Sequence, residues 1–394
     1  MTSTVTAAHD TQFYNLHELE ELARRRISRA AFDFYAGGAE DLASLRENQV
    51  AFSRYKLLPR MLVDVSRIDT SCLLLGHKLS MPVLVAPTAL QAMAHPQGEL
   101  ATARAAAAAG IAMGVSINAN YTMEEVADSG HSMLFFQVYV FKNREAVQQL
   151  VKDVERKGYK GLIITVDCPT AGNREQDARN HFALPEGLTV KNMERVTGVQ
   201  EVKDPSPSSK DAVEGKDDSA YHSMHTSVYD QSLSWDFIPW LRSITKLPIL
   251  LKGILSPDDA HIAVHRYGVD GLIISNHGGR QCDYVPAAVD MLPQIVQVVN
   301  RKVPIIIDGG VRRGSDVVKA LALGADAVMV GRPIIYGLAV GGQPAVEAVL
   351  SMLRRELELT MKLCGCTSLR SIVRNVVIAP PGAPATSSMA HSRL

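Results

Sequence analysis

The chain has 394 residues, of which 46% are hydrophobic and 21% are charged, a composition typical of a globular protein with a large core. Lysine plus arginine and aspartate plus glutamate number 41 each, so net charge gives no signature of a nucleic-acid or anionic-membrane partner. The longest apolar stretches are interrupted by charge and are expected to be too short to span a bilayer, and five scattered cysteines favour a reducing compartment.

The first 80 residues are predicted to form a helical segment that packs on the main domain. Residues 1–10 lack the apolar core of a secretory signal. Residues 16–36 have the spacing of apolar positions that is typical of an amphipathic helix. This segment is therefore expected to be a lead-in to the fold that follows.

From residue 81 to residue 378 short apolar runs alternate with amphipathic or alanine-rich stretches. The runs predict eight strands, at 82–86, 112–116, 134–140, 162–166, 249–251, 272–275, 304–307 and 327–330. The stretches between them predict helices, among them 99–109, 143–157, 257–267 and 315–323. Strands that are apolar throughout indicate a parallel sheet covered by helices. Eight of them favour an α/β fold of the (β/α)8 TIM-barrel type over an open doubly wound sheet.

Two segments interrupt this alternation. Residues 168–231 form a long insertion after the fourth strand, and their middle part is rich in Lys, Asp, Ser and Pro. We expect the insertion to be mobile, either as a lid or as a disordered surface loop. Residues 379–394 are predicted to be a flexible tail that exposes Ser392-Arg393-Leu394, a variant of the Ser-Lys-Leu peroxisomal address.

Residues 272–281 contain the most informative pattern. An apolar strand ends in Ser275, Asn276 and His277, and two glycines and Arg280 follow. The glycines let a ligand approach the backbone, and the arginine can grip a carboxylate or phosphate with its fork. A lone histidine here would be interpreted as a core residue at a turn. Beside an anion clamp, it is interpreted as a base.

Nearly every predicted strand ends in groups that can form hydrogen bonds or carry charge. In a barrel the carboxyl ends of all eight strands meet at one mouth, where active sites are built. The groups at these ends are Pro87-Thr88-Ala89, Ser116 and Asn118, Gln137 and Tyr139, Thr165 and Asp167, Lys252, His277, Asp308–Arg312, and Gly331-Arg332.

The ends of the seventh and eighth strands predict a phosphate site. Gly309 and Gly310 free backbone N–H groups for an anion, and Arg312 and Arg332 add positive charge. Lys252, at the end of the fifth strand, leaves two interpretations open. It could form a Schiff base, as in a barrel aldolase, or stand as a fixed cation beside a cofactor that gains negative charge.

These residues carry a resemblance to the FMN-dependent (S)-2-hydroxy-acid oxidase family, which includes glycolate oxidase, lactate oxidase and mandelate dehydrogenase. The resemblance covers residues 16–374, and its most specific motif is Ser-Asn-His-Gly-Gly-Arg-Gln at 275–281. Further matching stretches lie at 36–41, 86–89, 94–96, 136–139, 165–167, 308–314 and 331–333. The resemblance implies a barrel with FMN at its mouth and four subunits in the assembly.

The resemblance also implies roles for individual residues. His277 would be the base, Asp167 would orient it, and Tyr139 would bind the substrate near its hydroxyl. Arg280 and Arg174 would grip the substrate carboxylate. The residues that would hold FMN are Pro87, Thr88, Ala89, Ser116, Gln137, Thr165, Lys252, Ser275, Asp308, Gly309, Gly310, Arg312, Gly331 and Arg332. No metal is expected, since Cys364-Gly365-Cys366 lacks partner ligands.

The implied reaction oxidises a 2-hydroxy acid to a 2-keto acid. Whether His277 takes the hydroxyl proton during hydride transfer or the α-proton to leave a carbanion stays open. No haem domain or membrane anchor is visible, which favours O2, reduced to hydrogen peroxide, over a quinone or protein acceptor. A Schiff-base lyase using Lys252 and a non-catalytic binding protein are the more distant alternatives. The C-terminal tripeptide predicts a peroxisomal location through the import receptor, or a cytoplasmic one if the source is bacterial.

Two positions depart from the glycolate-oxidase pattern. Phe34 stands where that pattern has a tyrosine whose hydroxyl reaches the substrate carboxylate, and Asn118 replaces a bulky tryptophan in the pocket. Ser392-Arg393-Leu394 and Phe34 both resemble the long-chain 2-hydroxy-acid oxidases of the family. We therefore expect a preference for medium-chain, long-chain or aryl substrates.

Overall fold

The computed structural model describes residues 12–198 and 228–381. Its N-terminal part contains three helices, α1 (Leu16–Arg26), α2 (Arg29–Ala36) and α3 (Ala43–Arg54). Asn15 caps α1 by accepting hydrogen bonds from the N–H groups of His17 and Glu18, and arginines occupy the last turn, where they favour the helix dipole. Three short strands follow, β1 (Lys56–Leu57), β2 (Cys72–Leu74) and β3 (His77–Leu79).

Eight parallel strands form a closed barrel, which confirms the predicted fold class. They are β4 (Val83–Val85), β5 (Met113–Ser116), β6 (Leu134–Val138), β7 (Leu162–Thr165), β8 (Ile249–Ile254), β9 (Gly271–Ile274), β10 (Ile305–Asp308) and β11 (Ala327–Val330). Each strand pairs with the next in chain order, and β11 pairs with β4 to close the ring. All eight predicted strands are present and begin within one residue of their expected starts, and β8 ends at Ile254 instead of residue 251.

Helices cover the outside of the barrel. They are α4 (Gly98–Ala109), α5 (Met123–Ala127), α6 (Arg144–Arg156), α9 (Phe237–Ile244), α10 (Pro257–His261), α11 (Ala288–Val299), α12 (Gly314–Ala322) and α13 (Arg332–Leu363), with α7 (Glu175–Arg179) and α8 (Lys191–Thr197) in the insertion. The predicted continuous helix at 257–267 needs correction, because α10 gives way to a π-helical turn at Ile262–Arg266. The helix expected over 16–36 also needs correction, because Ile27 is extended and Ser28 caps a new helix, which divides the segment into α1 and α2. The helices predicted at 99–109, 143–157 and 315–323 are confirmed.

The core has two layers. Side chains that point into the barrel form the inner layer, in which Leu84, Phe135, Ile163, Leu250 and Ile306 are almost wholly buried. The β2–β3 hairpin contributes Leu74 and Leu79 to that layer and so helps to fill the end of the barrel opposite the active face. The outer layer lies between the strands and the surrounding helices. This rigid scaffold holds the strand ends in place.

The first part of the insertion packs on the barrel. Phe182, Val190, Met193 and Val196 are buried, and α8 contacts α6. Residues 199–227 lie outside the described residues, so the mobility expected for the insertion stays a prediction. The tripeptide Ser392-Arg393-Leu394 also lies outside them.

One helix in the described ranges, α13, is long and apolar enough to cross a membrane by length and composition alone, contrary to the expectation from sequence. More than half of its apolar window is buried inside the protein. It is also broken at Gly341 and Gly342, whose backbone angles are not helical. Its apolar face packs mainly on α4 and α1, as a core helix does. After it, β12 (Val377–Ile378) pairs with β1.

Candidate active site

The carboxyl ends of the barrel strands surround an open cavity of about 1250 Å3, counting the solvent at its mouth. All but two of the residues predicted for the site line it: Phe34, Pro87, Thr88, Ala89, Ser116, Asn118, Gln137, Tyr139, Thr165, Arg174, Lys252, His277, Arg280, Asp308, Gly309, Gly310, Arg312, Gly331 and Arg332. The two exceptions, Asp167 and Ser275, form hydrogen bonds to lining residues. The barrel thus brings the predicted set together.

His277 borders the cavity and is held from two sides. Its backbone lies in the left-handed region, with φ of 58°, and its N–H donates to Ser275 Oγ at 2.9 Å. Its Nδ1 lies 3.0 Å from Asp167 Oδ1. An ionised carboxylate can only accept a hydrogen bond, so Nδ1 carries the proton and Nε2 is left with the free lone pair. The strained backbone is typical of a residue whose position serves function.

The charges around His277 favour a neutral imidazole beside an ionised carboxylate. Burial lowers the pKa of His277 below its ordinary value, and Lys252 and Arg174 add to this effect while Asp167 opposes it. Burial acts to raise the pKa of Asp167, but His277 and Lys252 outweigh it and the pKa lies below its ordinary value. A neutral imidazole is the form that can accept a proton.

A bulge in β8 makes room for Asp167. The pairing with β9 shifts register between Lys252 and Ile254, and Gly253 between them has φ of 107°. A Cβ atom at Gly253 would lie 2.5 Å from Asp167 Cγ. The position therefore requires glycine for two reasons, the positive φ and the close approach of the carboxylate.

Lys252 is buried and paired, so it is not a snorkelling surface lysine. Its Nζ lies 3.0 Å from Ser275 Oγ and 3.2 Å from Asp308 Oδ2. Burial acts to lower the pKa of Lys252, but Asp308 and Asp167 raise it above the ordinary value. A Schiff-base lysine must lose its proton to attack a carbonyl, so this environment favours the fixed cation of the two interpretations.

A chain of polar side chains crosses the ends of β5, β6 and β7. Gln137 Nε2 donates to Thr165 Oγ1 at 3.0 Å, and Gln137 Oε1 accepts from Ser116 Oγ at 3.3 Å. The backbone N–H of Ile117 reaches the same Oε1 at 3.3 Å. These bonds fix the orientation of the amide and of both hydroxyl groups at the floor of the cavity, where a planar polar ligand could bind.

The opposite side of the cavity is built from the ends of β10 and β11. Gly309 and Gly310 have φ of 88° and 80°, and a Cβ atom at Gly310 would lie 1.8 Å from the carbonyl oxygen of Asn48 in α3. The backbone N–H of Arg312 donates to Asp316 Oδ2 at 3.0 Å, which anchors the start of α12. Glycines, a helix start and two arginines together make an anion site.

Two arginines are held by backbone carbonyls of the 34–37 segment. Arg280 Nη1 donates to the carbonyls of Phe34 and Gly37, the latter at 3.2 Å. Arg332 Nη2 donates to Gly37 at 2.7 Å, and its Nε donates to Tyr35 at 2.8 Å. The segment therefore positions both guanidinium groups through its main chain, a role that the sequence motif at 36–41 did not indicate.

The arginines at the mouth carry positive charge that the nearby protein groups only partly offset. Arg174 donates from Nε to the carbonyl of Arg280 at 3.3 Å. Burial lowers the pKa of Arg280 to about 9, and repulsion from Arg174 and Arg332 contributes while Asp177 opposes it. An anionic ligand between these groups would relieve that repulsion. The pair is therefore well suited to grip a carboxylate.

Phe34 packs in a stack instead of offering a hydroxyl. Its ring lies 4.4 Å from the ring of Phe182 with an interplanar angle of 14°. The guanidinium of Arg280 also lies over the Phe34 ring, 5.0 Å from its centroid. This cation–π contact orients Arg280 without a hydrogen-bonding side chain.

Asn118 lines the cavity with a side chain much smaller than the tryptophan of the glycolate-oxidase pattern. Its backbone N–H donates to Ser116 Oγ at 3.1 Å, and its Oδ1 is buried without a partner among the described residues. Tyr121, which could have refilled the space, donates its hydroxyl to the carbonyl of Pro96 at 2.7 Å and does not line the cavity. Ala171, on the insertion, also contributes a small side chain to the lining.

Several lining residues were not predicted from sequence, among them Tyr229, Gln281, Ala171 and Cys168. The ring of Tyr229 lies 5.0 Å from that of Tyr139, which in turn stacks at 6.5 Å on His277. Nothing in the sequence around Tyr229 marks it. Gln281 and Cys168 could have been found, because they directly follow Arg280 and Asp167.

The chain is similar to known flavoenzymes over most of its length. Residues 23–379 match the family of FMN-dependent dehydrogenases. Glycolate oxidase 3 of Arabidopsis thaliana is 51% identical over 360 residues, which cover 91% of this chain and 94% of the relative. Glycolate oxidase of Spinacia oleracea is 46% identical over 377 residues, covering 96% and 99%. The crystal structure of mandelate oxidase with (S)-4-hydroxymandelic acid superposes with a TM-score of 0.86 and 36% identity, covering 93% of this chain and 99% of that one.

Proposed function

The chain belongs to the family of FMN-dependent dehydrogenases, with FMN as its cofactor, and from this premise we propose that it is an (S)-2-hydroxy-acid oxidase. The proposed reaction converts a 2-hydroxy acid to a 2-keto acid and passes two electrons to O2, which leaves as hydrogen peroxide. The observation that carries the proposal is one cavity lined by two arginines and by an imidazole whose Nδ1 is held by Asp167.

The residues of the cavity fit FMN. Lys252 is a buried cation near the floor, and Asp308 Oδ1 is a buried oxygen without a hydrogen-bond partner among the described residues. Gln137 and the neighbouring hydroxyl groups offer donors and acceptors to a polar ring. Gly331 leaves its backbone uncovered at the cavity, and a Cβ atom there would lie 3.3 Å from Thr88 Cγ2. The arginines after β10 and β11 would bind the phosphate, as proposed from the resemblance.

FMN, when bound, supplies the acceptor for two electrons. Arg280 and Arg174 would hold the substrate carboxylate and so fix the α-carbon, and orientation of this kind can lower a barrier substantially. Nε2 of His277 would accept a proton from the substrate. Asp167 would stabilise the imidazolium that forms, and Tyr139 would donate to the substrate oxygen.

The electron acceptor decides between the oxidase and the near alternative, a dehydrogenase. With an (S)-2-hydroxy acid as substrate, we expect one O2 consumed and one hydrogen peroxide formed for each 2-keto acid. An oxygen electrode, with catalase added as a control, measures this ratio. Anaerobic dye reduction measures turnover when an artificial acceptor replaces O2. Rapid dye reduction with negligible O2 uptake would support the dehydrogenase instead.

We further propose a preference for larger substrates. Phe34 cannot donate the hydrogen bond of a tyrosine, which is worth about 0.5–1.5 kcal/mol to a small acid. Each methylene that enters an apolar pocket returns roughly 0.8 kcal/mol, and Asn118 and Ala171 leave space for it. Medium-chain, long-chain or aryl 2-hydroxy acids should therefore have a higher kcat/KM than glycolate, and Phe34→Tyr should shift the preference toward glycolate and lactate.

The test is kcat/KM across glycolate, lactate, 2-hydroxyoctanoate, 2-hydroxypalmitate and mandelate. Leu359→Ser, a change at an exposed position of α13 that is absent from the cavity lining, serves as the control and should leave the order unchanged. A maximum at glycolate in the wild-type enzyme would reject the preference while leaving the oxidase activity intact.

Location and assembly are proposed from the resemblance and the C-terminal tripeptide. A fluorescent protein that ends in residues 379–394 should collect in peroxisomes, and removal of Ser392-Arg393-Leu394 should leave it in the cytosol. Diffuse fluorescence with the tail intact would reject the address. Sedimentation of the holoenzyme tests the proposed homotetramer.

A further inference from the structure

Cys168 lies beside the base, and the mechanism does not use it. Its Sγ is 3.6 Å from His277 Nδ1, the same nitrogen that lies 3.0 Å from Asp167 Oδ1. All three ligand atoms lie within 4.8 Å of one another, and this is the one group of three or more metal-ligating residues found in the described ranges. Asp167 Oδ2 is buried and has no hydrogen-bond partner there.

The distances from His277 Nδ1 to its two neighbours are close to those of a zinc site. Zinc binds sulfur at about 2.3 Å and imidazole nitrogen at about 2.0–2.1 Å, so two ligands at a tetrahedral angle stand about 3.5 Å apart. The observed separation of 3.6 Å between Sγ and Nδ1 matches that value, and the 3.0 Å between Nδ1 and Oδ1 needs only a small adjustment. One thiolate, one imidazole and one carboxylate form a ligand set that suits Zn2+.

We propose that Asp167, Cys168 and His277 form an inhibitory site for a thiophilic divalent cation such as Zn2+. The Cys168 thiol releases its proton to solvent as the metal–sulfur bond forms. The proton on His277 Nδ1 leaves and Nε2 takes one up, so one proton is released per zinc ion. An imidazole that is protonated at Nε2 and bound to metal at Nδ1 has no lone pair for the substrate proton, and catalysis stops.

The surroundings favour metal binding over oxidation of Cys168 by peroxide. Burial raises the pKa of the Cys168 thiol well above its ordinary value, and Asp167 adds to this effect, so the free thiolate that would react with peroxide is scarce. A metal ion overcomes that obstacle, because a coordinating thiol loses its proton outright. Lys252 and Arg174 oppose a cation at this position and should weaken its binding.

Equilibrium dialysis of the FMN-loaded protein against ZnCl2, after treatment with EDTA, tests the site without any assay of activity. We expect one zinc per chain and an affinity at least about 10-fold lower in Cys168→Ser. Loss of even a residue that only hydrogen-bonds to a metal ligand lowers metal affinity about 10–100-fold. Cys72→Ser, at a partly buried cysteine in β2 beyond the far end of the barrel, is the matched control and should bind as the wild type does. Equal affinity in Cys168→Ser would overturn the proposal.

A zinc-soaked crystal of the wild-type protein provides a second test that does not depend on a variant. An anomalous peak between Asp167, Cys168 and His277 supports the site, and a peak elsewhere or none overturns it. The inhibitory effect rests on the proposed function, and zinc should slow flavin bleaching by substrate while FMN stays bound. Zinc bound at the site of a protein that oxidises no 2-hydroxy acid would overturn the proposed function and leave the site standing.

Discussion

Replacement of His277 by glutamine is expected to slow the bleaching of bound flavin by a 2-hydroxy acid roughly 10²–10⁴-fold, the usual contribution of a general base. Glutamine keeps a polar side chain of similar length but cannot accept the proton. FMN should stay bound, because most of the proposed ring and phosphate contacts follow other strands, at residues such as Gln137, Lys252 and Arg312. Stopped-flow absorbance under anaerobic conditions measures the rate.

The pH dependence of the wild-type enzyme provides a control for this assignment. Only neutral imidazole can act as the base, so kcat/KM should fall as pH drops through the pKa of His277. That pKa lies below its ordinary value of 6.5, so the fall should come at lower pH than a solvent-exposed histidine would give. Near-normal bleaching by His277→Gln, with the same pH profile as the wild type, would remove His277 from the mechanism.

The second large effect is expected from Lys252→Met. Methionine removes the buried cation beside the floor of the cavity and leaves Asp308 without its partner, and loss of one member of a buried ion pair typically costs about 3–5 kcal/mol. FMN binding should weaken. Sulfite forms an adduct with flavins whose surroundings stabilise negative charge on the ring. It should bind the remaining FMN roughly 10²-fold more weakly, which is the effect of losing one preorganised hydrogen-bond donor to a developing negative charge.

Lys319→Met is a matched control for Lys252→Met. Lys319 is a partly buried lysine that lies 3.6 Å from Asp316, but it does not line the cavity. Its loss should lower stability with little effect on sulfite binding. Spectrophotometric titration with sulfite measures both variants, and an unchanged sulfite affinity in Lys252→Met would count against the proposed place of Lys252 beside the flavin.

The sequence was sufficient to predict where the chemistry sits. Apolar strands with polar residues directly after them imply a barrel, and barrel geometry brings Gln137, Lys252, His277 and Arg312 to one mouth. This inference needs no knowledge of side-chain contacts, because the period of the strands and the parallel topology place the strand ends together. The fold and most of the cavity lining could be predicted for that reason.

Contacts between distant segments could not be predicted. The stack of Phe34 on Phe182 depends on how the insertion folds back, and no local pattern determines it. The need for glycine at Gly310 comes from Asn48, which lies far away in the chain. Cys168 is a different case, because it directly follows Asp167. Its place in the sequence is plain, but only the fold brings its Sγ to within 3.6 Å of His277 Nδ1.

The proposed oxidation of 2-hydroxy acids is tested most directly by the visible spectrum of the purified protein. The two absorption bands of FMN should be present and should bleach when an (S)-2-hydroxy acid is added without oxygen, with one 2-keto acid formed per flavin. Admission of O2 should restore the bands and yield one hydrogen peroxide. A protein that carries FMN but keeps its bands with every 2-hydroxy acid of the series, under conditions where dithionite bleaches them, would contradict the account.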